Sequence, residues 1–401
     1  MKVLLVHNFY QQAGGEDQVF RFEADVLARH GFDVSTFTVD NEGLERHSGL
    51  ALARQTVWNA GAGRQVAALV RERQAEVVHF HNTFPVLSPA VYGAARRAGA
   101  AVVQTLHNYR LGCANALLFR EGRVCQDCLG HLPWPAVAHA CYRGSRGASA
   151  VVATLQVGHR WRGTYHREVD AFIALTEFAR GKMTQAGLPP ERLHVVPNAL
   201  SPDPGMGEGR GGYALFVGRL TPEKGIGVLL RAWEQLGGEL PLRIVGEGPL
   251  GADVEQASRR LPGVTWLGQR ARADVLAMMQ EARCLIFPSE WFEGFPMTIV
   301  EAFAVGLPVI ASRMGSMEEL IVPGQTGEHF AAGDPDDLVR QVRAFLGRSS
   351  QQTRQQARQA YLQRYTGEAH VQGLTRVYTQ ALVHRDAARA PHVGTACGES
   401  K

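Results

Sequence analysis

Apolar residues recur along the chain in short, nearly unbroken runs separated by longer amphipathic stretches. In the first half the runs are KVLLVH, FDVSTFTV, EVVHFHN, AVVQTLHN, AFIALT and LHVVPN. In the second they are YALFVGRL, PLRIVGEG, VTWLG, CLIFPS and PVIAS. Runs of this length, rich in β-branched residues and lacking strict alternation, read as strands covered on both faces. Between them, helical patterns fall at about 16–30, 62–74, 224–236, 249–260 and 271–282. Strand–helix alternation on this scale predicts an α/β fold with two doubly wound, Rossmann-like domains facing a central cleft. The break between them is PNALSPDPGMGEGRGGYAL, whose residues 202–212 hold five Gly and two Pro. A hinge of that composition cannot continue either element.

The expected organisation is a first domain over 1–198, with a cysteine-rich insert at about 113–141, and a second domain over 199–365. A closing helix over 366–386 is expected to turn back towards the first domain, followed by a disordered tail at 387–401. A chain of 401 residues with 45% hydrophobic and 20% charged residues can build two cores. The start, MKVLLVHNFYQQ, reads as a buried strand and is too short in its apolar part for a signal peptide. With no run near the length of a membrane span, a cytoplasmic location follows as the expectation.

Charge changes that picture in one place. Residues 1–200 carry 21 Lys and Arg against 16 Asp and Glu, while 201–401 carry 21 against 22. The excess concentrates in 96–167, where ten Arg face only Glu121 and Asp127. Either a solvated surface or a patch for an anionic partner would produce this. No nucleic-acid module or interleaved aromatic–basic stripe is present, which disfavours nucleic acid. Peripheral contact with an anionic membrane, at its inner face, is the sharper expectation.

Candidate chemistry gathers at predicted strand ends. After the first strand, QQAGGEDQVF places Gly14 and Gly15 at a helix start, where backbone N–H groups could meet an anion. The second domain opens with FVGRLTPEKGIGVLLRAW, in which Arg219 and Lys224 flank one strand–helix turn, an arrangement suited to a diphosphate. Gly246, in VGEGP, marks another strand end. The stretch EWFEGFPMTIVEA starts a short apolar helix at Pro296 that nevertheless carries Glu301, eight positions after Glu293. A carboxylate there either escapes to solvent or needs a partner, a nearby arginine or the two hydroxyls of a ribose.

GRLTPEKG followed by EGFPMTIVE, with its Glu–x7–Glu spacing, resembles the retaining nucleotide-sugar glycosyltransferases of family four, which have the GT-B fold. The resemblance extends over about 1–383 and concentrates in 216–328. It implies that Arg219 and Lys224 neutralise the donor diphosphate without a metal, and that Glu301 binds the ribose. It implies further that Glu293 and the amides of Gly294 and Phe295 meet the donor sugar and its phosphate, with Gly14 and Gly15 closing over the phosphates. His107 would stand near the reacting carbon and Asn198 at the hinge. Many relatives have a second glycine where this chain has Pro296, so contacts made by that amide do not carry over. The expected function is transfer of a sugar from a nucleoside diphosphate donor to an unidentified acceptor, such as a lipid-linked or polysaccharide precursor. A nucleotide-sugar epimerase on the same plan, or a non-catalytic nucleotide-sugar-binding protein, are the alternatives; the Glu–x7–Glu spacing argues against the first and the retained charges against the second.

The insert CANALLFREGRVCQDCLGHLPWPAVAHAC holds Cys113, Cys125, Cys128 and Cys141 within 29 residues. Four thiols with one C-x2-C pair in a cytosolic chain favour structural zinc over disulfides, with His131 or His139 able to replace a thiol.

Overall fold

The computed structural model describes residues 1–9, 14–41, 49–348 and 350–389. Among the described residues, fourteen strands run in chain order as β1 (Lys2–Asn8), β2 (Asp33–Val39), β3 (Val77–Phe80), β4 (Ala101–Leu106), β5 (Phe119–Arg120), β6 (Arg123–Val124), β7 (Ala171–Ala174) and β8 (Leu193–Val195), then β9 (Ala214–Val217), β10 (Leu242–Val245), β11 (Val264–Trp266), β12 (Cys284–Phe287), β13 (Val309–Ser312) and β14 (Gly327–Phe330). They form two six-stranded sheets, in the orders β2-β1-β3-β4-β7-β8 and β11-β10-β9-β12-β13-β14, and the small antiparallel hairpin β5-β6. Every pairing in the two large sheets is parallel. The chain is thus an α/β protein with two Rossmann-like domains.

Burial explains the sequence pattern. Each face of each sheet carries its own apolar layer, so strands such as β3, β4 and β12 are buried at every position. The helix Gly367–Arg389 belongs structurally to the first domain: Val371, Leu374, Val377, Tyr378 and Ala381 pack with Val3, Leu5, Val77 and Val103. Burying each of these large side chains contributes roughly 1.5–3 kcal/mol, so the C-terminal segment is part of the first core rather than an appendage. The chain crosses between domains twice, and the crossings touch where Leu200 N donates to Tyr365 O at 2.9 Å.

Three expectations change. The helix expected at Pro296 spans Met297–Ala304, because Pro296 is extended (φ −78°, ψ 94°) and serves as its cap. Helix continues through Ala387–Arg389, where a disordered tail was expected, since Arg385 and Arg389 donate to the carbonyls of Gly99 and Arg96; residues 390–401 of that expected tail lie outside the described residues. The edge strand β14 was not anticipated. Its GEHF sequence has no apolar run, and it is buried because Glu328 pairs with Arg348 and His329 meets Met317 O.

Strand order determines where ligands can sit. In the second sheet the order reverses between β9 and β12, and in the first between β1 and β3. The crevice beyond the carboxyl ends of such strands is the standard ligand position of doubly wound sheets.

Candidate active site

Beyond β9 the chain passes through Gly218 and exposed Arg219 into the 3₁₀ turn Pro222–Lys224. Gly225 closes that turn at φ 72°, and a Cβ there would lie 1.9 Å from Pro288 O. The turn can therefore lie flat against the end of β12, which carries Lys224 to Glu293. Lys224 Nζ donates to Glu293 Oε1 at 2.7 Å, and the same oxygen accepts from Ser289 Oγ at 2.7 Å and Trp291 Nε1 at 2.9 Å. The ammonium also lies 5.5 Å from the Trp291 ring centre. Glu293 is buried, so three donors on one oxygen are what make an ionised carboxylate tolerable there.

Arg219 lines an open cavity of about 380 Å³ with Gly246, Glu247, Gln269, Arg270 and Val275. Gly246 is required at this wall: its φ is 138°, and a Cβ would fall 1.9 Å from Gly218 O. Glu301 sits on the Met297–Ala304 helix and pairs with Arg272 at 3.1 Å, the arginine partner that burial alone could supply. Burial pushes the Glu301 carboxyl above the ordinary range and Arg272 draws it back. Its neighbours across the cleft include Gly15, Gln18 and Ser201, which share with it a cavity of about 50 Å³. Gly15 and Glu301, from different domains, thus face one space.

The first domain closes on the same loop. A Cβ on Gly294 would lie 2.8 Å from His107 O, so glycine allows the two backbones to approach. Tyr109 OH donates to Glu293 O at 3.3 Å, and Ser316 Oγ donates to the same carbonyl at 2.9 Å. Gly14 N donates to Asp17 Oδ2 at 2.9 Å, and Asp17 Oδ1 meets His7 Nε2 at 2.7 Å. Asp17 therefore ties the start of the Gly15–Arg29 helix to the end of β1. Phe295 has a structural side chain, packed near Tyr365 at 6.1 Å between ring centres. Asn198 is buried at the crossing between domains.

His107 belongs to a buried network that sequence reasoning did not identify. Its Nε2 lies 3.1 Å from His81 Nδ1. His81 and His79 both approach Glu23 Oε2, at 3.3 and 3.4 Å, and His370 Nε2 meets Glu23 Oε1 at 3.0 Å. His79 is satisfied on both ring nitrogens, by Tyr378 OH at 2.8 Å and Thr105 Oγ1 at 2.7 Å. Burial raises the Glu23 carboxyl, but His81, His370 and His79 outweigh it and hold the group well below the carboxylate range. Burial lowers His107, and His81 adds to the effect. The available signal was HFHN, which sets two histidines on one face of an apolar strand. Their partner Glu23 and the closing His370 are far away in sequence. Glu23, His79 and His81 bring three potential ligand atoms within 4.8 Å of one another, yet His79 has no ring nitrogen to spare. The cluster positions the His107 segment.

The basic segment divides. Arg96 pairs with Asp170, Arg110 packs on the Phe84 and Tyr142 rings, Arg120 meets Asp127, and Arg160 donates to His131 O. The patch of ten is therefore reduced, with Arg97, Arg123, Arg143, Arg146, Arg162 and Arg167 exposed.

Two family models cover this architecture half by half. The Glycosyltransferase Family 4 model matches residues 13–203, and the Glycosyl transferases group 1 model matches 208–363. The chain belongs to glycosyltransferase family four, of GT-B fold. An uncharacterised glycosyltransferase of Methanocaldococcus jannaschii is 25% identical over 214 residues, which are 53% of this chain and 60% of that one. The lipopolysaccharide 1,6-galactosyltransferase of Salmonella typhimurium is 30% identical over 181 residues, 42% of this chain and 50% of that one. The matches span about 60% of the first curated relative and a third of the next. Among solved structures, the lipopolysaccharide outer core galactosyltransferase WaaB has a TM-score of 0.68 at 18% identity, covering 94% of this chain and 99% of that one. Anabaena HepE in complex with UDP has a TM-score of 0.64 at 18% identity, covering 94% and 100%.

Proposed function

We propose that the protein is a retaining glycosyltransferase moving a sugar from a nucleoside diphosphate donor to a lipid-linked or polysaccharide precursor. The observation that carries this reading is the placing of Arg219 and Lys224 just beyond β9, Arg219 on an open cavity and Lys224 on Glu293, while Glu301 shares a second space with Gly15 of the other domain. The donor would span the Arg219 cavity and the space that Glu301 shares with Gly15, with its ribose at Glu301. Relatives in lipopolysaccharide and colanic acid biosynthesis, by name, support the acceptor class, and the UDP in HepE makes uridine the base to test first. As the sugar–phosphate bond breaks, positive charge grows at the anomeric carbon and negative charge on the leaving diphosphate. Arg219 and Lys224 would stabilise the latter without a metal. Lys224 can turn to a phosphate because Ser289 and Trp291 still satisfy Glu293 Oε1. The acceptor would attack the face that the diphosphate leaves, and a leaving-phosphate oxygen would take its proton. A protein nucleophile is then unnecessary.

Calorimetric titration with uridine and guanosine diphosphates and their sugars tests the donor assignment. Binding of at least one of these is expected in the presence of EDTA; no binding to any would remove it. The two acids should separate in the same experiment. Glu301→Ala should weaken the free diphosphate and the donor alike, because both contain the ribose. Glu293→Ala should weaken chiefly the sugar-bearing donor and lower turnover. Identical profiles for the two variants would show the assignments to be wrong.

The acceptor would be presented at an anionic membrane. No helix among the described residues is long and apolar enough to cross one. Supporting the reading, Leu132, Trp134 and Trp161 are 57%, 70% and 80% exposed in the stretch of chain that also holds exposed Arg143, Arg146 and Arg162. Exposed tryptophan beside arginine suits a headgroup region. A groove of about 340 Å³ lined by Leu52, Phe84, Tyr142, Arg143, Val151 and Val152 would take the aliphatic part of the acceptor. Flotation should show binding to anionic vesicles at low salt that is lost at high salt. It should also weaken when Arg123, Arg143, Arg146 and Arg162 are neutralised. Binding unaffected by these changes, or no binding at low salt, would favour a soluble acceptor.

A further inference from the structure

We propose that Cys113, Cys125, Cys128 and Cys141 together hold one zinc ion as a structural tetrathiolate, which anchors the first-domain wall of the donor site. All four side chains line a single small cavity of about 20 Å³, although they come from four different local structures; no three of their sulfurs lie within 4.8 Å of one another, so the ion would draw them together. Cys113 lies in the turn after His107, and its amide donates to Tyr109 O at 2.9 Å. Cys125 follows the β5-β6 hairpin and donates to Leu118 O at 2.8 Å. Cys128 closes the C-x2-C turn, and Cys141 follows the short helix Trp134–Ala138, its amide donating to Ala136 O at 3.0 Å. The two histidines that could have replaced a thiol do not line the cavity: His131 and His139 are exposed.

Three independent features say what the cavity is built for. First, burial raises the Cys113 thiol, and the backbone amides of Leu118, Asn115, Leu117 and Ala116 act against it, in the sense that favours a thiolate. Second, seven non-glycine residues among those described have positive φ, and five of them lie here: Ala116, Leu118, Glu121, Ala140 and Arg143. Such conformations are unfavourable for L-residues and persist only when the surroundings over-determine them. The local core cannot do so alone, because it is small: Phe84, Ala114, Ala136, Val152 and Leu155, with Cys128 and Cys141 at its margin. Third, Arg120 is 11% exposed beside the cavity; it pairs with Asp127 at 3.2 Å, while its buried Nε makes no hydrogen bond among the described residues and meets Glu121 only at 3.8 Å. A zinc ion with four thiolates has a net charge of −2, and a half-buried guanidinium offsets it. One alternative is two disulfides, which would leave the cluster neutral and Arg120 paired with Glu121 and Asp127 alone.

Without metal, Cys113 donates its thiol proton to Asn115 Oδ1 at 2.9 Å. On zinc binding that proton and those of the other three thiols leave to solvent as four Zn–S bonds form, so loading is favoured by rising pH. The ion would close the loop from Cys113 to Cys141 and so fix Tyr109, which holds the Glu293 carbonyl. Leu129 lies within the same closed loop. It packs so tightly that a Cβ on Gly112 would meet it at 2.7 Å.

The chain as purified should contain about one zinc by elemental analysis. Its four cluster thiols should resist a thiol reagent until a strong chelator is added, and chelation should lower the melting temperature. Cobalt exchange into the same protein should give the charge-transfer and ligand-field bands of tetrahedral thiolate coordination. The Cys125→Ser, Cys128→Ser double variant should lose the metal; the cobalt spectrum of the unmodified chain keeps the test valid if that variant does not fold. Zinc below a tenth of an equivalent that cannot be restored by adding zinc to the reduced chain, or intact disulfides among these cysteines by mass spectrometry, would overturn the assignment. The result is independent of which donor or acceptor the enzyme uses.

Discussion

Replacing either Arg219 or Lys224 by Ala should lower turnover by on the order of a hundredfold or more, the usual effect of removing one donor from a site of developing negative charge. The two variants should differ in a way that the structure dictates. Arg219 is exposed beside its cavity, so its loss should leave stability nearly unchanged and act on the donor alone. Lys224 is bound to Glu293, so its loss also leaves a buried carboxylate with two donors in place of three. Lys224→Ala should therefore combine the catalytic defect with a measurable loss of stability, which Lys224→Ala, Glu293→Gln should partly restore without restoring turnover. Steady-state rates and urea denaturation on the same preparations distinguish these. Turnover like that of the unmodified chain in both single variants would remove the donor-site assignment.

A comparably large effect is expected from acid. His7 is lowered to about 4 and His79 to about 3, both chiefly by burial, and His107 is lowered in the same direction. Above pH 6.5 these histidines are neutral in both states and add no pH dependence. Below it, the unfolded chain takes up protons that the native chain refuses, so stability falls as pH falls towards 4. His7 and His79 each contribute about 1.4 kcal/mol per pH unit in that window, or roughly 2 kcal/mol at pH 5. The two together are a large share of the stability of an ordinary domain, about 5–15 kcal/mol, and His107 acts in the same direction. Glu23 acts in the same direction lower down, losing its contribution as pH falls below 4.5. Urea midpoints between pH 7.5 and 5 should drop steeply for the first domain, and His79→Gln should flatten the slope. A midpoint constant across that range would show that the histidines are not held neutral by the fold.

These two predictions draw on different levels of the sequence. The donor-side charges were legible because they are local: Arg219 and Lys224 flank one turn, and Glu293 and Glu301 lie within one strand–helix connection. The two-domain plan was legible for a related reason, since strands buried on both faces leave unbroken apolar runs. What escaped notice depends on distant partners. Glu23 meets His370 across 347 positions, and His79 meets Tyr378 across 299. No spacing rule joins residues that the C-terminal helix brings back to the first sheet. Glu301 shows the same limit on a smaller scale: its helix indicated that a partner was needed, but Arg272, 29 residues earlier, was found only in the fold. The edge strand β14 was missed because tertiary partners, not its own residues, make it a strand.

The central claim is that this cleft transfers a sugar from a nucleoside diphosphate. It is tested most directly by incubating the chain with a panel of uridine and guanosine diphosphate sugars, a membrane lipid extract as acceptor and EDTA, and following diphosphate release and product stereochemistry by NMR. Acceptor-dependent release of one diphosphate, with a glycoside of unchanged anomeric configuration and no release by the Lys224→Ala variant, is the predicted result. An epimerised donor without diphosphate release, or a product of inverted configuration, would contradict it.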